Sequence, residues 1–325
     1  MEALGGREEV LAWERRWSLP VALVTLVAIA LLIASAIAIG PVNGDGDAEI
    51  LRAAHEHSSA VTLSSILQAV AFVLLVAPLV YLFRATQART SRVRGQLIGL
   101  VVAAPLFLSV ASVLNAVATD EAASDFVAGK ASADLSVQEA KEECRSERRD
   151  DPDAFRDDYG GPGEPEGGVL RCAEDTVTDD AATNAIADAS ARDAATGFGL
   201  GGRLGLAFTL LYTCLWGMRV GLLSRFWGSL GMALGVAALL LLIQFTLIFF
   251  LYLALLIAGW LPGGRPPAWE KAEAVPWPTP GEKAATELEA AEASGENASA
   301  ESEDPSRDSA QLDDNGELRK RKQRD

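Results

Sequence analysis

Apolar runs long enough to cross a bilayer alternate with strongly polar stretches along this 325-residue chain. The first, 20–40, carries no charge. As a helix rising 1.5 Å per residue it covers roughly 30 Å, the thickness of a bilayer's hydrocarbon core. A second run spans 61–83 and a third 96–118, with Pro78 and Pro105 near their middles. Membrane helices tolerate such prolines; soluble helices seldom do. A fourth run, 203–223, is interrupted by Arg219.

The last apolar stretch, 228–261, has 34 residues. As one helix it would measure about 51 Å, too long to stand upright in a bilayer. As two helices, 228–243 and 246–261, each half falls near the short end of the workable range. Gln244 is the strongly polar residue at the expected turn.

Sidedness arbitrates, because cytoplasmic loops are enriched in Lys and Arg. Arg7, Arg15 and Arg16 precede the first run, and Arg84, Arg89, Arg92 and Arg94 fall between the second and third. Arg219 and Arg225 flank the next short connection. These segments read as cytoplasmic, which puts 41–60 and 119–202 outside. The tail ends in Arg319, Lys320, Arg321, Lys322 and Arg324. A cytoplasmic tail requires an even number of spans, so six is the expectation and five the alternative. Ala34-Ser35-Ala36 offers a small-residue cleavage site, but the apolar run exceeds a signal peptide's usual ~7–15 residues, which favours an uncleaved first span.

The expected fold is therefore an all-α integral-membrane bundle of about six transmembrane helices. A cytoplasmic N-terminus (1–19) leads into a three-helix part (20–118). An acidic extracytoplasmic loop (119–202) forms a small helical cap, and the second membrane part is 203–261. A Pro/Trp-rich juxtamembrane segment and a disordered acidic tail complete the chain (262–325). The expected location is the cell membrane.

Charge sharpens this partition. The formal charge is −16 although half the residues are hydrophobic. Segment 119–202 holds 21 acids and 8 bases and the tail 15 acids and 9 bases, whereas the expected spans contain no Asp or Glu. Segregated charge excludes a single soluble globule, and an acidic chain is a poor nucleic-acid binder. Spans without carboxylates also speak against proton-coupled transport, which needs ionisable groups at membrane depth. Ser109, Ser112 and Asn115 recur along one face of the third run. Ordinary interhelical hydrogen bonding explains such a stripe more simply than a solvated path.

In the outer loop, 132–149 reads as a helix, 152–168 as an irregular Gly/Pro/Asp stretch, and 180–196 as an Ala-rich helix. Cys144 and Cys172 share this loop; on an oxidising side they can form a disulfide, the one bonded site expected here. Cys214 has no partner in sequence. His55 and His57 flank Glu56, but position 59 is Ser59, so the zincin spacing fails. Asn43, Asp45, Asp47 and Glu49 alternate oxygen side chains, yet Ala48 and Ala54 stand where a calcium loop needs Gly and Glu. No metal, cofactor or catalytic residue is expected. In the tail, Trp269 and Trp277 among prolines suit headgroup anchoring, and Asn297-Ala298-Ser299 matches a glycosylation acceptor without consequence on the cytoplasmic side.

Met218-Arg219-Val220-Gly221-Leu222-Leu223-Ser224-Arg225-Phe226, then Gly228-Ser229-Leu230-Gly231, Pro262-Gly263-Gly264-Arg265-Pro266-Pro267-Ala268-Trp269 and Pro276-Trp277-Pro278, resemble a family of uncharacterised actinobacterial multipass membrane proteins. The resemblance covers roughly 200–281. It implies a last apolar run divided into two helices, as a Pro/Gly turn divides it in those relatives, and it implies no activity or site residues.

The leading expectation for function is a non-enzymatic interaction or assembly component. It would meet the lipid bilayer along its spans and a protein partner through the acidic loop or the tail. The alternative is a channel or transporter for a small neutral or weakly charged solute. A membrane-embedded enzyme ranks last, because the expected spans hold neither His nor acid to serve as a base.

Overall fold

The computed structural model describes residues 6–44, 46–160, 165–240, 246–262, 264–277 and the single residue 285, and the described residues form helices and turns without a strand. Four helices are long and apolar enough to cross a membrane: α1 (Arg7–Ala38), α3 (Ser58–Arg89), α4 (Ile98–Val127) and α8 (Arg192–Arg219). At 28 to 32 residues each, they reach roughly 42–48 Å and overshoot a ~30 Å hydrocarbon core at their ends. Pro20, Pro78 and Pro105 all lie inside these helices.

The last apolar stretch is two antiparallel helices, α9 (Arg225–Leu240) and α10 (Thr246–Ala258). Trp227 of α9 stacks on Tyr252 of α10 with centroids 3.9 Å apart, and Gly231 faces Phe249. The expected turn at Gln244 lies outside the described residues. At 16 and 13 residues, these helices reach only about 24 and 20 Å. Gly231 also meets Cys214, and Gly235 meets Leu210 and Ala207, so α9 runs antiparallel to α8 as well. Side by side, the neighbours run α1, α3, α4, α8, α9, α10 and back to α1. Phe72, Leu79, Leu82, Leu210, Phe250 and Leu253 fill the middle of this ring. Close approach is secured by glycine: a Cβ at Gly202 or Gly205 would stand 2.8 Å from Leu108 or Ala104 of α4. Residues 197–202 are continuous helix, and Arg203, where the expected fourth run begins, lies within α8 rather than at its end.

At one end of the ring, α7 (Pro165–Asp188) packs against α2 (Asp47–Glu56), α5 (Val137–Asp150) and α6 (Pro152–Tyr159). The expected helix 132–149 starts later, because Ser136 and Glu139 form a capping box at Val137. The expected irregular stretch 152–168 is instead mostly helical. Asp151 caps α6 by accepting the Ala154 N–H, and Pro152 occupies its first turn, where a missing N–H costs nothing. The expected helix 180–196 is split between the end of α7 and the start of α8.

At the opposite end, α3 continues through Arg84 to Arg89, so the arginine connection is shorter than 84–95. There α11 (Pro267–Lys271) and residues 272–277 fold back onto the bundle. The expected disordered tail, with Asn297 and the terminal basic cluster, lies outside the described residues.

Candidate functional site

Inside the ring, toward the acidic end, α1, α3, α4, α8 and α10 enclose a cleft of about 650 Å³. That volume falls within the range of small-molecule sites. Most of the lining is apolar, including Leu32, Phe72, Leu75 and Phe250. Its polar groups are Ser35, Ser64, Ser65, Gln68, Asn115, Thr119 and Thr246, and among the described residues no ionisable one lines it. The Ser64 hydroxyl donates to the Ser35 carbonyl at 2.9 Å, and the Ser35 hydroxyl to the Leu32 carbonyl at 3.0 Å. Ser65, Gln68, Asn115 and Thr119 make no side-chain hydrogen bond among the described residues. Amides that face a cleft without a protein partner suit a neutral guest able to donate and accept. A charged guest would find no counter-charge there.

The Ser/Asn stripe of the third run divides on folding. Ser112 is buried and donates to the Leu108 carbonyl at 2.9 Å, and Ser109 is half-buried outside the cleft, whereas Asn115 lines it. One member thus faces the cleft and one satisfies its own helix. Gln68 comes from the neighbouring α3, a convergence that spacing within one helix cannot reveal.

At the acidic end, carboxylates hold backbone together. Asp179 accepts from the Ala48 N–H at 3.0 Å, Asp180 from those of Asp134 and Leu135 at 2.7 and 2.9 Å, and Glu121 from that of Ser190 at 3.0 Å. The expected disulfide partners Cys144 and Cys172 stand at bonding distance, S–S 1.96 Å, between α5 and α7. Cys214 is buried and unbonded. His55, His57 and Asn43 are spread along the surface, and the described residues form no metal-ligating cluster. Outside the membrane-spanning helices, the Ser136 hydroxyl and N–H hold the Glu139 carboxyl below the usual range, and burial pushes the Tyr159 phenol up.

The arginine end holds the feature that sequence reading missed. Glu14 and Arg89 form a buried ion pair with side chains 3% and 0% exposed. Arg89 donates to both Glu14 carboxylate oxygens at 2.5 and 3.0 Å, to the Ala85 carbonyl at 2.8 Å, and to the Ala268 carbonyl at 2.9 Å. Tyr81 donates to the Glu14 carbonyl at 3.0 Å and stacks between Trp13 and Trp269. Trp269 is 3% exposed and gives its indole N–H to the Leu222 carbonyl at 3.0 Å, so it packs into protein and does not anchor in headgroups. Trp277 likewise donates to the Leu223 carbonyl at 2.8 Å. Glu14, one of three acids in the arginine-flanked start of α1, was the available signal; its partner lies 75 residues away.

Compared with protein-family models, curated proteins and solved structures, the chain matches none.

Proposed function

We propose that this protein is a non-enzymatic assembly component of a cell membrane. In this reading it crosses the bilayer six times with its arginine end and both termini in the cytoplasm. Arg84, Arg92, Arg94, Arg219 and Arg225 supply the positive-inside signal. The paired cysteines at the opposite end suit an oxidising exterior. The resemblance to actinobacterial membrane proteins over 200–281 agrees with α9 and α10 as separate spans.

The observation that carries the assembly reading is a division of labour among the acids. Asp179, Asp180 and Glu121 are spent on backbone N–H groups. Glu142, Glu143, Asp157, Asp158, Glu174 and Asp175 point outward on α5, α6 and α7. A small module tied to a bundle and studded with exposed carboxylates offers a basic partner protein a fixed surface. Mild solubilisation followed by native mass measurement tests this. The intact protein should carry a stoichiometric partner, lost on changing Glu142, Glu143, Glu174 and Asp175 to amides. A lone protein before substitution overturns the reading. Sidedness is tested with an impermeant maleimide on intact cells, which should label Lys130→Cys but not Ala300→Cys.

The cleft favours a second reading, binding or passage of a small neutral solute at Gln68 and Asn115. Solute flux into liposomes that Asn115→Leu abolishes would put this reading first.

A further inference from the structure

At the arginine end, α8 turns into α9 over five residues, and this turn sets two guanidinium groups around one pocket of about 470 Å³. Arg219 ends α8 and Arg225 begins α9. Ser229, one turn further along α9, adds a hydroxyl, and Met218 and Trp277 supply apolar wall. Among the described residues no carboxylate lines the pocket.

Around the two basic groups stand an aromatic ring and a backbone carbonyl. The Arg219 guanidinium lies 4.9 Å from the centre of the Trp216 ring and makes no ion pair among the described residues. Arg225 donates one N–H to the Trp277 carbonyl at 3.1 Å. The docked segment that carries Trp277 therefore positions the second arginine. Arg89, unlike Arg219, is neutralised by Glu14 and enclosed. The first turn of α9 opens at the same place, and an N-terminus of 16 helical residues adds partial positive charge. Gly228 lets Met218 pack against α9 and brings the two walls together. Phe226, next to Arg225 in sequence, is 68% exposed and adds an apolar surface.

Two guanidiniums, a hydroxyl and a helix N-terminus describe a receptor for phosphate oxygens, since arginine forks match phosphate geometry. Apolar walls beside them, at the end of membrane-spanning helices, suit a phosphate that carries acyl chains. We infer that the pocket between Arg219, Arg225 and Ser229 binds the phosphate headgroup of an anionic membrane lipid. Basic pockets between transmembrane helices recognise lipids by this chemistry.

The test uses the full chain in nanodiscs of phosphatidylcholine with a minor share of phosphatidylglycerol, read by native mass spectrometry of retained lipid. Phosphatidylglycerol should be retained over phosphatidylcholine, and Arg219→Gln with Arg225→Gln should lower that preference about tenfold or more, as loss of charge-assisted hydrogen bonds implies. Arg203→Gln, elsewhere on α8, should leave it unchanged. Ser229→Asp adds a carboxylate at an exposed position and should weaken retention even if the arginine variants do not fold. Equal retention of both lipids, or a preference that survives Ser229→Asp and the arginine variants, overturns the inference. A second arm adds millimolar inorganic phosphate. Persistence of the lipid supports a lipid site, and full displacement assigns the pocket to soluble phosphate and overturns the lipid reading.

Discussion

The two ends of the bundle use charge in opposite ways. At the acidic end, carboxylates accept hydrogen bonds from backbone N–H groups at the surface, over a small core of Ala48, Leu51, Ala54, Ala122 and Ala182. At the arginine end, one carboxylate and one guanidinium are sealed beneath Tyr81 and Trp269. A surface carboxylate has water as a substitute partner, so losing any one bond costs little. A buried charge has no such substitute. The acidic end spreads its stability over many weak contacts and a cross-link, whereas the arginine end concentrates it in one pair.

That contrast is tested most severely at the pair itself. Removing one partner, with Arg89→Met or Glu14→Leu, leaves an uncompensated buried charge and should cost about 3–5 kcal/mol. The double replacement should cost clearly less than the sum of the two, because no charge is stranded. Thermal unfolding in detergent measures all three; additive losses would show that the pair is not energetically coupled. At the acidic end, the largest expected loss comes from Cys144→Ser with Cys172→Ser. If the pair is oxidised, it closes a loop of 28 residues, worth about 3–4 kcal/mol in the chain-entropy picture. The loss should be confined to α5–α7 and seen as faster amide exchange there, with the spanning helices unchanged.

A smaller effect probes how the C-terminal segment depends on the turn beneath it. Gly221 has φ +79°, and a Cβ there would collide with the Val275 carbonyl. Gly221→Ala should cost about 1–2 kcal/mol for the left-handed backbone alone. The collision should also lift residues 272–277 away, exposing Trp277 and opening the segment to protease. An unchanged cleavage pattern would show that this segment is held by Trp269 alone.

The four long helices were legible because an uncharged apolar run of bilayer length has few other structures open to it. Their ends were not, since polar residues such as Glu8, Glu9 and Arg89 continue a helix once tertiary contacts support it. Nothing in the glycine-rich stretch 197–202 announces that Gly202 and nearby Gly205 admit α4 at close range, a role that depends on Leu108 and Ala104. The α6 helix was hidden because Pro152 and Asp151 are as typical of turns as of helix starts. The pairing of Cys144 with Cys172 was expected from sidedness alone. In the cleft, Asn115 was visible only as one member of the Ser/Asn stripe, and nothing local marked Gln68 as its counterpart. Their convergence depends on how α3 and α4 pack. Glu14 was counted with the polar N-terminus, and nothing local indicates that Arg89 will reach it.

The smallest test bears on the claim that acidic-end carboxylates work singly and weakly. Glu139 is exposed, and its carboxyl is held below the usual range by the Ser136 hydroxyl and N–H. A carboxyl whose folded pKa is depressed favours the folded state above its unfolded pKa of about 4.3. That stabilisation is lost as pH falls through the lower, folded value. The start of α5 should therefore loosen only below the usual carboxylate range, read as faster exchange of the first-turn amides. Glu139→Gln keeps one acceptor for the Ser136 N–H but cannot titrate, so it should remove this acid step while leaving α5 formed at neutral pH. If the acid step survives in Glu139→Gln, Glu139 does not carry it and the loosening spreads from contacts elsewhere in the acidic end. The acidic end would then be cooperative, like the arginine end, and the contrast between them would fail.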